Sequence, residues 1–346
     1  MALIQALPAV FFLAIAVSTG DRLCSFFLPA LDGSRLPLER RYVAPWVIRW
    51  PLAFLSGALL VTWATYLVAS LLRHTSSPMA AANLIVLGLL GIAHAGAFLR
   101  RSMRGGRGLS LNAGNSEIPA RRWIDITVTA TGLVLGAILM FHTCRIVGDT
   151  LVLGRTAFGD LNIHLGMARS FSAGDNFPTG YVAFASNDIR YHFMFYFLVG
   201  NLEFLGLPLD WAINLPSILS FTSVLMLLHA VGSVVIRDAR AGGLTVLFLL
   251  MRSSPAAFVY FSQLPGSVID KFAAVVRTDT YIGITNHENW GIWNLNVYVV
   301  ERHFAFAFGI VLIAVLYLVR ITALDSGLPL LRDAWMRRHT PASPPT

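Results

Sequence analysis

Charged residues are scarce in this sequence, and lysine is almost absent. Asp, Glu, Lys and Arg together make up 13% of the 346 residues, against about 25% in an average soluble domain, and Lys271 is the only lysine. Hydrophobic residues account for 56%, and the mean hydropathy is +0.66. This composition excludes an ordinary soluble domain and predicts a polytopic membrane protein whose main partner is the lipid bilayer.

Sequence features of several function classes are also missing. The two cysteines, Cys24 and Cys144, lie near or within apolar segments predicted to end on opposite sides of the membrane, so we expect no disulfide between them. The chain has no glycine-rich phosphate loop, which disfavours nucleotide-sugar use. It has no internal repeats of the kind expected in a carrier. The arginines flank apolar segments, so nucleic acid is not an expected partner.

Seven apolar runs have about the length needed to cross a bilayer, which is roughly 20 residues of helix. They are residues 3–19, 46–72, 80–99, 123–147, 209–236, 242–263 and 303–322. No basic residue precedes the first run, so we interpret it as an anchor rather than a cleaved signal peptide. The sequence therefore predicts an all-α transmembrane bundle of about seven spans, with interfacial helices in a long first outer loop.

The distribution of arginine predicts the orientation of these spans. Residues 100–122 carry six arginines against one acid, so this loop is expected in the cytoplasm. The arginines after the first run, between the fifth and sixth runs and in the C-terminal tail agree with it. Residues 148–208 and 264–302 are then predicted on the outer face. The expected membrane is the bacterial cytoplasmic membrane, with any active site facing outward.

Residues 191–205 form an apolar stretch that is too short for an ordinary span. Fifteen residues of α-helix rise about 22 Å, less than the roughly 30 Å hydrocarbon core. We interpret this stretch as a helix in the outer interface, with Tyr191 and Tyr196 at headgroup depth. A short eighth span is the alternative.

The chain divides into three parts by composition. Residues 1–122 form an N-terminal three-helix membrane region, and residues 123–322 form a membrane core with the two outer loops. Residues 323–346 form a cytoplasmic tail, whose Pro- and Thr-rich end is expected to be disordered. Acids, histidines, aromatic residues and Pro/Gly turns converge only between Gly159 and Gly206, so any chemistry is expected to start there.

This polar loop resembles part of a known enzyme superfamily. An apolar span is followed by Asp160 in the segment FGDLNIHLGMARSFSAGDNFP, which contains a turn at Gly174, Asn176 and Pro178. The segment YHFMFYFLVGNLEFLGLPLDWAINLPSIL comes later in the chain, and RHFAFAFG starts a later span. This order is similar to the GT-C superfamily of membrane glycosyltransferases, which includes protein mannosyltransferases and lipid A aminoarabinose transferases. The likeness covers roughly residues 123–322. Because that family usually continues with more spans, we expect a shortened or fragmentary member, or one that has lost part of the substrate site.

The resemblance implies sugar transfer from a polyprenyl-phosphate sugar donor to an extracytoplasmic acceptor, such as an envelope glycan, a lipid or a protein. It assigns Asp160 as general base on the acceptor hydroxyl, or as a metal ligand that holds a divalent cation, Mg²⁺ or Mn²⁺, against the donor phosphate. His164 lies one helical turn further on the same face and would orient this acid or touch the phosphate. The alternative is that Asp160 only caps an interfacial helix.

Further residues are candidates for substrate binding. Arg302 and His303 lie at the outer end of the last span, where a cation suits a donor phosphate but is also an ordinary polar helix end. Arg252 lies about ten residues inside the sixth span, where it needs a partner or snorkels to the surface. The remaining candidates are Tyr191, His192, Asp279 and Glu288.

Two function classes follow from the sequence. The first is a polyprenyl-phosphate-dependent membrane glycosyltransferase. The second is a non-catalytic polytopic membrane protein, either a transporter or flippase-like carrier or a degenerate GT-C relative acting as an assembly subunit. The histidines inside other spans, His94, His142 and His229, are expected to be packing residues under either interpretation.

Overall fold

The described part of the molecule is mostly helical. The structure is a computed structural model, and it describes residues 2–27, 42–103, 122–154, 157–184, 188–251, 256–278 and 295–325. Its helices are α1 (Ala2–Gln5), α2 (Leu7–Phe27), α3 (Pro45–Leu71), α4 (Pro78–Met103), α5 (Arg122–Thr143), α6 (Phe158–Ser172), α7 (Met194–Phe204), α8 (Leu209–Ile236), α9 (Ala239–Met251), α10 (Ala256–Gln263), α11 (Val268–Arg277), α12 (Asn296–Val300) and α13 (Arg302–Asp325). The strands β1 (Cys144–Val147) and β2 (Thr150–Leu153) pair as an antiparallel hairpin.

Six of the described helices are long and apolar enough to cross a membrane. They are α2, α3, α4, α5, α8 and α13, and each overlaps one of the apolar runs of the sequence. The predicted fold class, an all-α polytopic membrane bundle, is therefore confirmed. The remaining predicted run, 242–263, contains the shorter helices α9 and α10, and the residues between them lie outside the described part.

Contacts between helix ends show how the chain crosses the bundle. Arg302, at the start of α13, donates to Thr143 Oγ1 at the end of α5, at 2.9 Å. His229, late in α8, lies 2.8 Å from Asp125 at the start of α5. The first contact marks one end of the bundle, which we call the site end, and the second marks the opposite end. Because α8 ends opposite the site end and α13 starts at the site end, the chain crosses back between them. Helix α9 lies in this connection and packs against α8 and α5.

Helices α2 and α3 pack through small residues. Ala16 and Gly20 on α2 face Ala53 and Gly57 on α3, and a Cβ atom added at either glycine would overlap the backbone of the other helix. Small residues spaced four apart let helix backbones approach closely, which is a common source of association between helices in membranes. The N-terminal helix is thereby fixed to the rest of the bundle.

Buried polar pairs join other helices. Asp125 accepts a hydrogen bond from the backbone amide of Ala44, at 2.9 Å, in addition to its contact with His229. The side-chain amides of Asn83 on α4 and Asn201 on α7 exchange two hydrogen bonds, at 2.6 and 3.1 Å. Such pairs satisfy polar groups that would otherwise be costly in an apolar interior. His229 is thus a packing residue, as predicted.

The predicted interfacial position of residues 191–205 needs a correction. Helix α7 has 11 residues, about 16 Å of rise, which is too short for an eighth span. It contacts α2, α3, α6, α8 and α13, and Tyr196 is fully buried by protein rather than exposed to lipid headgroups. The physical reason is that α7 is mostly apolar and neighbouring helices cover it, so that residues 195–202 are all buried.

A second correction concerns the end of the predicted run 123–147. Helix α5 ends at Thr143, and the chain then forms the β1–β2 hairpin around Gly148, which has a φ of 60°. Glycine accepts this left-handed conformation without strain and suits a two-residue hairpin turn. The side-chain amide of Asn214 on α8 donates to the carbonyl of Cys144 at 2.7 Å, which holds the hairpin against the bundle.

Helix α11 is amphipathic and lies in the second predicted outer loop. Val268, Ile269, Phe272 and Val276 are all exposed, and Ser267 and Asp270 form a capping box at its start. An exposed apolar face on a short capped helix that is attached to a membrane bundle is typical of a helix lying in the membrane interface. The exposed apolar face of α11 therefore suits a position in the membrane interface within the second predicted outer loop.

Candidate functional site

Helix α6 carries the first two candidate residues. Its N-cap is Ala157, and Asp160 lies in its first turn, where the positive end of the helix dipole favours a carboxylate. The predicted alternative, that Asp160 is the cap, is therefore wrong. Asp160 is exposed, whereas His164, one turn later, is only 1% exposed. The helix thus presents an open acid and a buried imidazole at the site end.

A tight turn brings the chain back beside α6. The side-chain amide of Asn176 donates to the Gly180 carbonyl at 2.9 Å, and its carbonyl oxygen accepts from the Gly180 amide at 2.8 Å. This confirms the turn that the sequence pattern indicated. The returning segment places Tyr191 and His192 immediately before α7, and the hydroxyl of Tyr191 lies 3.2 Å from Nε2 of His164.

The segment before α13 completes a cluster of polar side chains. Glu301 Oε2 lies 3.7 Å from His164 Nε2, 3.9 Å from His192 Nε2 and 3.5 Å from His303 Nδ1. Tyr196 is hydrogen-bonded to His303 Nδ1 at 2.9 Å. We call this group the His/Glu cluster. Its members are His164, Tyr191, His192, Tyr196, Glu301 and His303.

Aromatic stacking holds the rings of the cluster in place. The rings of His164 and Tyr196 stack with centroids 4.4 Å apart and planes at 15°. The rings of His192 and His303 lie 3.6 Å apart. Because each imidazole is confined by a neighbouring ring, the cluster is preorganised by packing rather than by solvent-exposed contacts.

Burial shifts the pKa values of the cluster. It lowers the pKa of His164 to about 4, and repulsion from His192 acts in the same direction, against the opposing effects of Asp160 and the Val300 backbone. Burial also lowers the pKa of His192. The pKa of Glu301 is raised by burial and then by the negative charge of Asp160. The imidazoles of His164 and His192 are therefore neutral at pH 7, and Asp160 is electrostatically coupled to the cluster.

An apolar cavity leads to the His/Glu cluster. Its volume is about 350 Å³, and it lies between α3, α7 and α13. The residues that line it are Ala58, Leu59, Thr62, Trp63, Tyr191, His192, Phe193, Met194, Phe195, Leu198, His303, Phe306 and Ala307. Trp63 is 43% exposed on a helix that crosses the membrane, so the cavity opens toward the surface that faces lipid. We call this cavity the apolar groove.

The phosphate-binding role expected for Arg302 does not fit its position. Arg302 is completely buried, and its guanidinium contacts the Met140 sulfur and donates to the Met140 carbonyl and the Thr143 hydroxyl. These acceptors lie in the last turn of α5, where a cation offsets the negative end of the helix dipole. Arg302 therefore joins α13 to α5 and is closed to a donor phosphate.

The structure brings most of the other predicted site residues together. Four of them belong to the His/Glu cluster, namely His164, Tyr191, His192 and His303, and Asp160 lies beside it. The remaining predicted residues, Arg252, Asp279 and Glu288, lie outside the described residues. Glu301 was not predicted as a site residue, because an acid directly before a span resembles an ordinary flanking charge. Its only signal was its position next to Arg302 and His303.

Comparison with protein-family models, with curated proteins and with solved structures gave no match to this chain. The resemblance to the GT-C superfamily therefore stays a prediction. The fold and the geometry of the His/Glu cluster identify the chain as a multi-pass membrane protein with a concentrated group of titratable side chains at one end of its bundle.

Proposed function

We propose that this protein is a membrane glycosyltransferase that moves a sugar from a polyprenyl-phosphate donor to an acceptor outside the cytoplasm. The observation that supports this best is that the apolar groove leads directly to the His/Glu cluster. A donor of this class has the same two parts, an apolar chain and a polar phosphate-sugar head. The groove suits the chain, and the cluster suits the head.

In this proposal Asp160 is the general base. The acceptor hydroxyl attacks the anomeric carbon of the donor sugar, and its proton passes to the Asp160 carboxylate. The bond between this carbon and the phosphate oxygen breaks, and polyprenyl phosphate leaves with the electron pair. Asp160 is exposed at the start of α6, which leaves it accessible to an acceptor. His192, whose side chain is 45% exposed, is placed to donate its ring N–H to the departing phosphate.

A transfer assay tests the role of Asp160. The purified protein in lipid nanodiscs would be given labelled polyprenyl-phosphate sugars together with an envelope extract as acceptor. Asp160→Asn keeps the size of the side chain but removes the base, so transfer should fall at least about a hundredfold. Asp188→Asn is the matched control, because Asp188 is an exposed acid of the same loop region that is not a member of the cluster.

Equal transfer by Asp160→Asn and the wild type would remove Asp160 from the mechanism. Absence of transfer by the wild type with every donor would favour the non-catalytic alternative instead. Normal accumulation of the Asp160→Asn variant is expected, because Ala157, and not Asp160, is the N-cap of α6.

The proposal also requires the site end to face outward in a bacterial cytoplasmic membrane. Val182 at the site end and Arg240 at the start of α9 are both exposed. A cysteine at position 182 is expected to react with a membrane-impermeant maleimide in intact cells, and a cysteine at position 240 only after lysis. The native cysteines are both buried, which keeps the background low. The opposite labelling pattern would place the site in the cytoplasm.

A further inference from the structure

Three side chains of the His/Glu cluster converge from three separate segments. His164 comes from α6, His192 from the segment before α7, and Glu301 from the segment before α13. Each offers one ligand atom, and these three atoms lie within 4.8 Å of one another. The packing of α6 and α7 and the start of α13 therefore builds this arrangement at a single point.

One carboxylate oxygen of Glu301 is free to accept a ligand contact. Within the described residues, its Oε2 atom is buried and has no hydrogen-bond partner, although the two imidazole nitrogens lie 3.7 and 3.9 Å away. These distances are too long for hydrogen bonds. Ligand atoms bound at 2.0 to 2.1 Å in a tetrahedral zinc site are roughly 3.3 Å apart. The two nitrogen-to-oxygen distances exceed that spacing by about 0.4 and 0.6 Å, and all three ligand atoms already lie within 4.8 Å of one another.

We propose that His164, His192 and Glu301 bind one divalent transition-metal ion of the zinc class. Two imidazole nitrogens and one carboxylate oxygen form a ligand set that zinc accepts while keeping a fourth position open. Imidazole ligands favour zinc and its neighbours, whereas magnesium favours sites made only of oxygen ligands. This ligand set therefore differs from the Mg²⁺ or Mn²⁺ ion that the sequence analysis placed on Asp160.

The metal site does not depend on the proposed sugar transfer, and its occupancy is measured without a donor.

The neighbouring groups divide into supporting and competing ones. His303 Nδ1 is hydrogen-bonded to Tyr196 and lies 3.5 Å from Glu301 Oε2, so His303 is a positioning residue for the carboxylate. Tyr191 competes, because its hydroxyl is hydrogen-bonded to the same His164 nitrogen that would hold the metal. Metal binding has to displace this hydrogen bond.

Zinc titration of the purified full-length protein tests the proposal. The protein would carry a tag without histidine, be stripped of metal with a chelator in detergent micelles, and be titrated with Zn²⁺ and separately with Mg²⁺. We expect one Zn²⁺ per chain with little competition from Mg²⁺. His192→Ala and Glu301→Gln should each weaken binding by at least about a hundredfold, because loss of outer-shell partners alone costs 10- to 100-fold.

Two further variants separate a built site from adventitious binding. His74→Ala is the matched control, because His74 is an exposed imidazole at the same end of the bundle, and this variant should bind zinc as the wild type does. Tyr191→Phe removes the competing hydroxyl and should bind zinc as tightly as the wild type or more tightly.

Three results would overturn the zinc site. They are unchanged zinc affinity in His192→Ala and Glu301→Gln, an equal loss in His74→Ala, and equal affinity for Mg²⁺ and Zn²⁺. Thermal unfolding of each variant shows whether lost binding reflects lost structure. His192→Ala should fold normally, since its side chain is 45% exposed.

Discussion

Replacing Asp125 with leucine should destabilise the bundle strongly, because this carboxylate joins three elements at the end opposite the site. It is 1% exposed, lies 2.8 Å from His229 Nε2 and accepts the Ala44 amide at 2.9 Å. Leucine would leave both partners buried without an acceptor, at about 1 to 3 kcal/mol each. The expected loss of unfolding free energy is about 3 to 5 kcal/mol, as is usual for breaking a buried pair.

A graded set of variants makes this prediction quantitative. Asp125→Asn keeps the size of the side chain and one acceptor oxygen, so it should lose about half as much as Asp125→Leu. His142→Ala is the control, because His142 is an exposed histidine on the same helix. Thermal unfolding of the purified proteins in one detergent, followed by tryptophan fluorescence, should rank Asp125→Leu lowest, Asp125→Asn intermediate and His142→Ala with the wild type. Equal melting temperatures for Asp125→Leu and wild type would refute the structural role of this pair.

Three other predictions follow from the packing. Gly57→Leu should abolish accumulation in the membrane, because the new side chain would overlap the α2 backbone. Gly88→Leu should be tolerated, because no atom lies within 4 Å of a Cβ at that position. Immunoblots of membranes would check both variants. Asn201→Leu should cost about 0.6 to 2 kcal/mol in thermal unfolding, because it removes both hydrogen bonds to α4. Cys144 should resist alkylation at pH 8, because burial raises its pKa to about 11 and leaves only about a thousandth of the thiol as thiolate. Mass spectrometry should show modification only after denaturation or as the pH rises toward 11. Rapid labelling of the native protein at pH 8 would contradict the buried position.

The spans and their order could be predicted from the sequence because long apolar runs report membrane burial directly. The end of α5 could not be predicted from apolarity, since the residues after Thr143 are also apolar. The Gly148 turn between β-branched residues was the available signal for a hairpin. The position of α7 was predicted wrongly, because length shows that a helix does not span but not whether lipid or protein surrounds it.

The site could be predicted in part for a related physical reason. The spacing of Asp160 and His164 along one helix is a local property, and the sequence shows it. The approach of Glu301 to His164 and His192 depends on how α13 packs against α6 and α7, which no short pattern encodes. The burial of Arg302 was hidden for the same reason, because its partners on α5 are more than 150 residues away.

If the apolar groove and the His/Glu cluster hold one lipid-linked donor, a fluorescent polyprenyl phosphate should bind there, and substitutions in the groove should weaken its binding. Ala307 lines the groove and is exposed, whereas Ala314 is exposed on the same helix but is not among the groove residues. In nanodiscs, Ala307→Trp should weaken binding at least about tenfold, equal to about 1.4 kcal/mol, while Ala314→Trp should bind as the wild type does. His192→Ala should weaken binding of the phosphate but not of uncharged polyprenol. Wild-type affinity in Ala307→Trp would show that the apolar groove does not hold the donor chain.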